Sequence, residues 1–144
     1  MTSPMKSFVA ALAVGLLMSP LAPVRAEGPA MAHMVFFTLA EKSDANRAAL
    51  VAGCRKYLNG HEGVQHFSVG TNDKSFDRDV NDRSFDVSLH LVFKDRAAHD
   101  VYHDHPRHLE FIEKNKHLWG KVVVFDSFLA EGGSTAAPAT PLAK

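Results

Sequence analysis

From residue 85 to residue 93 large apolar and polar side chains alternate. Phe85, Val87, Leu89, Leu91 and Phe93 fall at one parity and Asp86, Ser88 and His90 at the other. A period of two marks a strand with one buried face, so this segment is predicted to send its five large side chains into a core. Residues 32–39 (AHMVFFTL) and 121–127 (KVVVFDS) are apolar runs of strand length, and 64–71 is a further strand. Between the strands the period lengthens. Ser43 or Asp44 can cap a helix to about Leu58 with Leu50, Val51, Cys54, Tyr57 and Leu58 on one face, and Gly60 and Gly63 supply its stop signal. Asp95 caps a short helix whose inward face is Ala98, Val101, Tyr102 and His105. Pro106 suits the first position of another helix, running to about Trp119 and ended by Gly120. The polar stretch 72–84 reads as a connector, with a lid over a site as its alternative role.

The order is β-α-β-β-α-β with the second helix broken at Pro106, which reads as an α+β, ferredoxin-like unit with helices on one face of an antiparallel sheet. The first and last strands are apolar at both parities: Met34 and Phe36 against Val35 and Phe37, Val122 and Val124 against Val123 and Phe125. One layer of helices hides only one face. A second copy of the sheet is the economical cover for the other, so the chain is expected to form a homodimer.

The 144 residues allow one such domain, and 46% hydrophobic with 22% charged residues is ordinary for a globular protein. Residues 1–26 read as a signal peptide: Lys6 before an apolar run, Pro20 and Pro23 to break it, and small residues at Val24 and Ala26 around a cleavage point. The protein is therefore expected to be exported, periplasmic or extracellular, with no membrane attachment after cleavage. The apolar run is too short for a span of about 20 residues. Without the leader the chain carries fourteen basic against sixteen acidic groups, a poor balance for binding nucleic acid. The lone Cys54 cannot make an internal disulfide and falls at core spacing. Residues 130–144 lack an apolar period and read as a flexible tail.

Candidate chemistry gathers in histidines. The segments Ala32-His33-Met34-Val35-Phe36-Phe37, Phe85 to Asp95, and Val101-Tyr102-His103-Asp104-His105-Pro106-Arg107-His108, with the closing Val122 to Ser127, resemble the stress-responsive A/B barrel (Dabb) family over residues 31–129. The resemblance implies a dimeric α/β barrel, with two four-stranded sheets facing each other and a cavity between each sheet and its helices. The family is mixed, and one member, a plant polyketide cyclase, closes an aromatic ring with acid–base residues. Matching its motif puts His33, Tyr102 and His108 in catalytic positions and His105 beside them as a ligand contact. Imidazole titrates near neutrality, and a tyrosine can donate to a developing enolate oxygen, which aldol ring closure requires.

Alternatively, the same residues are hydrogen-bonded packing groups in a non-catalytic stress or envelope dimer with a filled interior. A continuous cavity reaching Tyr102 and His108 distinguishes a small-molecule site from that reading. His99 and His103, four apart on one helix face, could share a metal with Asp100 or Asp104. A solvated polar face explains them equally well, and no third ligand is evident at a fixed spacing. No metal or other cofactor is assigned from the sequence, and haem, bound in other dimeric α+β barrels, has no matching motif here.

Overall fold

A computed structural model describes residues 28–130. The leader expected over 1–26, and all but the first residue of the tail expected over 130–144, lie outside the described residues. The elements are β1 (Met31–Leu39), α1 (Asp44–Leu58), β2 (Val64–Thr71), β3 (Val87–Phe93), α2 (Arg96–His103), α3 (Pro106–Asn115), a 3-10 turn (Lys116–Leu118) and β4 (Trp119–Phe128). Ser43 accepts a hydrogen bond from Asn46 N–H at the start of α1, and Asp95 does the same for Ala98 N–H at the start of α2. Gly63 has a φ of +79°, and a Cβ there would stand 2.5 Å from that of Ala98, so both conformation and space demand glycine. Among the described residues no helix is long and apolar enough to cross a membrane.

The strands form one sheet in the order β2-β3-β1-β4, with every pairing antiparallel, which is the ferredoxin-like arrangement. β1 and β3 lie in the middle. Val35, Phe37 and Leu39 of β1 and Leu89, Leu91 and Phe93 of β3 pack beneath Leu50, Cys54, Leu58, Tyr102 and Phe111 of the helices. Cys54 is part of this core, and burial pushes its thiol up to about 12. Met34 and Phe36 share the opposite face with Val123 and Phe125, and Phe125 is 61% exposed there.

Three sequence expectations are corrected. Phe85 does not join the core face. The β3 ladder begins at Val87, and Phe85 turns to the other side of the sheet, 4.9 Å from the ring of Phe36. Val101 is 63% exposed, because the eight residues of α2 bury only Ala98 and Tyr102, one turn apart. The last helix stops at Asn115, and Trp119 already pairs with Leu39 in β4, its ring stacked 5.6 Å from Phe111.

Asp86, expected on the polar side of its strand, is 1% exposed and closes the end of the ladder. Its N–H donates to Phe37 O at 2.8 Å, and its Oδ2 accepts from Leu39 N–H at 3.0 Å. Oδ1 has no hydrogen-bond partner among the described residues and faces Lys74 Nζ at 3.5 Å. The connector after β2 is thus tied to the sheet, and Asn72 adds bonds to Phe85 and Asp86 carbonyls. Asp86→Ala leaves the buried Leu39 N–H unpaired and is expected to cost about 1–3 kcal/mol in urea unfolding. Lys74→Ala, which takes away the cation facing the buried carboxylate but keeps the Leu39 bond, is expected to cost less than Asp86→Ala in the same measurement.

Candidate functional site

A cavity of about 280 Å³ lies between β1 and β4 on one side and α2 and α3 on the other. Its wall is mostly apolar, with Val35, Phe37, Trp119, Val122 and Val124, and its polar end carries His33, Tyr102 and His108. The strand register makes the wall: His33, Val35 and Phe37 stand opposite Asp126, Val124 and Val122, so the six side chains share the helix-facing side.

His33 Nδ1 lies 2.6 Å from Asp126 Oδ1. A carboxylate accepts, so Nδ1 carries the hydrogen and Nε2 the lone pair. Burial lowers the pKa of His33, against the upward pull of Asp126. His108 sits in the first turns of α3, and its Nδ1 donates to the carbonyl of His103 at 2.8 Å. That bond leaves Nε2 as its proton-accepting nitrogen, and burial again lowers the pKa, keeping the ring neutral. The His108 ring centroid lies 4.6 Å from that of Tyr102, which is 6.1 Å from His33. Burial raises the pKa of the Tyr102 phenol, so it remains a neutral donor. A neutral base and a neutral donor at the end of an apolar cleft can take a proton from one atom of a small molecule and polarise another.

Three of the four expected site residues therefore meet at the cavity. His105 does not line it. Proline at 106 holds the preceding residue extended, and at φ −68° and ψ 135° His105 becomes the cap of α3, its Nδ1 accepting from Arg107 N–H at 3.1 Å. Its ring packs 4.7 Å from that of His61. The His99–His103 pairing is also revised. Their rings stand 6.3 Å apart and each bonds to the aspartate that follows it, whereas His99 lies 5.2 Å from His33. Asp126 and Trp119 were not among the expected site residues. Asp126 had left a signal: the one charge of its strand at the parity of Val122 and Val124 needs a polar neighbour.

The fold and cavity place the protein among ferredoxin-like α+β domains with a pocket under the helices. The chain belongs to the stress responsive A/B barrel domain family, which matches residues 31–129. Among solved structures it is similar to a Dabb family protein with a ferredoxin-like fold from Mesorhizobium loti. That match has 25% identity and a TM-score of 0.59, covering 72% of this chain and 99% of the other. It shares the fold of a hydroxynitrile lyase from Passiflora edulis, with 21% identity, coverage of 72% and 95%, and a TM-score of 0.58. A dimeric ferredoxin-like protein from Thermobifida fusca, 13% identical, covers 72% and 93% with a TM-score of 0.59. No curated protein matches the chain.

Burial lowers the pKa values of His33, His61, His90 and His108 below the ordinary 6.5. The unfolded chain takes up these protons first as pH falls, so protonation favours unfolding. Stability is expected to be intact above about pH 6.5 and to decline as pH drops through the lower folded-state values. Thermal melts between about pH 7.5 and pH 5 test this, and a melting temperature that rises on acidification would contradict it.

Proposed function

We propose that this domain is an exported homodimer that binds a small, largely apolar molecule bearing a keto or aromatic group in the sheet–helix cavity, where His108 and Tyr102 supply acid–base chemistry. The observation that carries this reading is the cavity itself, apolar along its walls and furnished at one end with a neutral base and a neutral hydroxyl donor. His108 Nε2 would take the proton, Tyr102 would hydrogen-bond the oxygen that gains charge, and Asp126 would fix the ring of His33 beside them. Ring closure of a poly-keto chain by an aldol step uses these parts. Cleavage of a hydroxynitrile, the chemistry in the name of the Passiflora edulis relative, also turns on proton transfer at a carbon-borne oxygen. The leader read over 1–26 supports export, with the domain working in the periplasm or beyond.

Dimerisation is supported by the exposed Phe125 and its neighbours on the helix-free face of the sheet, and by the dimeric state of the Thermobifida fusca relative. Light scattering after gel filtration is expected to give a dimer, and Phe125→Asp to give monomer or insoluble protein. A soluble wild-type monomer at micromolar concentration would remove this part of the reading.

The site is tested with a panel of aromatic ketones and an aromatic hydroxynitrile, followed by NMR titration and by aldehyde release. Tyr102→Phe keeps the ring and is expected to melt near wild type while losing about 100-fold or more in turnover. His108→Ala is expected to lose about 10²–10⁴-fold. If instead both variants melt far below wild type, and no panel member shifts any resonance of the cavity residues, the histidines are packing groups in a non-catalytic dimer.

A further inference from the structure

Beside the cavity three side chains from three elements converge: His33 of β1, His99 of α2 and Asp126 of β4. One donor atom of each lies within 4.8 Å of the other two. Two imidazoles and a carboxylate suit zinc and its neighbours in the first transition row, whereas magnesium and calcium favour oxygen donors. A second feature is independent of this clustering. His99 Nδ1 hydrogen-bonds Asp100 Oδ1 at 3.0 Å, and Arg96 Nε holds the same oxygen at 2.8 Å. Ligating histidines typically donate their second ring N–H to a carboxylate in this way, which fixes the tautomer and leaves Nε2 free to bind. His103, a turn later, is bonded to Asp104 in similar fashion but is two-thirds exposed and stands outside the group. His33 and His99 by contrast have side chains only 13% and 12% exposed.

We propose that His33, His99 and Asp126 form a site for one divalent ion of the zinc class, with the remaining position left to water or to a polar group of whatever occupies the cavity. The ion would take the place of the hydrogen that His33 Nδ1 and Asp126 Oδ1 share at 2.6 Å. Donor atoms around a tetrahedral zinc stand about 3.3 Å apart, so that pair opens slightly and His99 closes by side-chain rotation. The half-exposed Asp126 gives the ion its way in from solvent. The inference stands apart from the acid–base reading, because the ion binds whether or not a ligand fills the cavity.

The protein recovered from cells, stripped with a chelator and dialysed, is titrated with zinc chloride by calorimetry and with cobalt chloride by absorption. One ion per chain is expected, with a cobalt spectrum of tetrahedral intensity and a melting temperature raised by zinc. His99→Ala and Asp126→Asn are expected to abolish uptake, Asp100→Asn to weaken it about 10–100-fold, and His103→Ala to leave it unchanged. Asp126→Asn lies at an exposed strand position and keeps the side-chain shape, so it decides the matter if His99→Ala fails to fold. A wild-type chain that takes up no zinc overturns the proposal. Uptake that survives Asp126→Asn unchanged, or that is lost in His103→Ala, also overturns it by moving the ion elsewhere.

Discussion

The structure depends on the double pairing of β1, held antiparallel by β3 on one side and by β4 on the other. β1 is apolar at both parities, so both of its faces require cover. Val35, Phe37 and Leu39 find it under the helices, while Met34 and Phe36 turn to the opposite face. The same register carries His33 and Asp126 to the helix side together, as the continuation of the row that contains Val35 and Val124. A one-residue slip between β1 and β4 would send Asp126 to the apolar face and leave His33 without its carboxylate. Apolar burial on β1 and the polar pair are therefore set by one alignment.

The histidines around this row show how burial and hydrogen bonding divide the work. His33 and His108 are each oriented by a single acceptor, a carboxylate for one and a backbone carbonyl for the other. In both, desolvation outweighs the partner's pull and the neutral ring is favoured. A neutral imidazole in an apolar cleft costs far less than an imidazolium would, and it keeps a lone pair available. His105 and His61 are used differently. His105 caps α3, and His61 hydrogen-bonds the Tyr57 carbonyl while its ring meets Tyr102 at 4.9 Å. Within one motif His105 thus caps a helix while His108 faces the cavity.

Much of this was legible in the sequence, for reasons that differ by element. Strand alternation, the Ser43 and Asp95 caps and the proline at 106 are local signals, and the structure follows them closely. The sheet's two apolar faces were also readable, since parity survives without knowledge of the fold. Residues at element ends were not. Phe85 and Asp86 exchange roles because the ladder starts after them, and a backbone N–H of a distant strand recruits the carboxylate. Val101 was misplaced because a two-turn helix buries a narrower stripe than its period suggests. In the site, His33, Tyr102 and His108 came from resemblance. Asp126 left only the hint of its parity; its pairing with His33 and the approach of His99 depend on strand register and helix orientation, which no local pattern encodes.

The cavity and the helix-free sheet face have one physical origin, a shortage of cover. Helix α1 packs over β2 and β3, and the short α2 over β3, so the β4 edge is left partly bare. Val122 and Val124 are 37% and 44% exposed on the helix side although apolar. On the other side Phe125 is bare, since among the described residues no helix covers that face. What each gap can accept differs through its lining. The sheet face offers aromatic and aliphatic surface, suited to broad contact with another sheet. The cleft's apolar walls end at the polar side chains of His33, Tyr102 and His108. Replacing a cleft valine by a larger residue would recover packing contacts that the open cleft leaves unmade. Leaving the space open while desolvating two histidines forgoes stability twice at one place, and that combination supports the proposed reading of the cleft as a binding site.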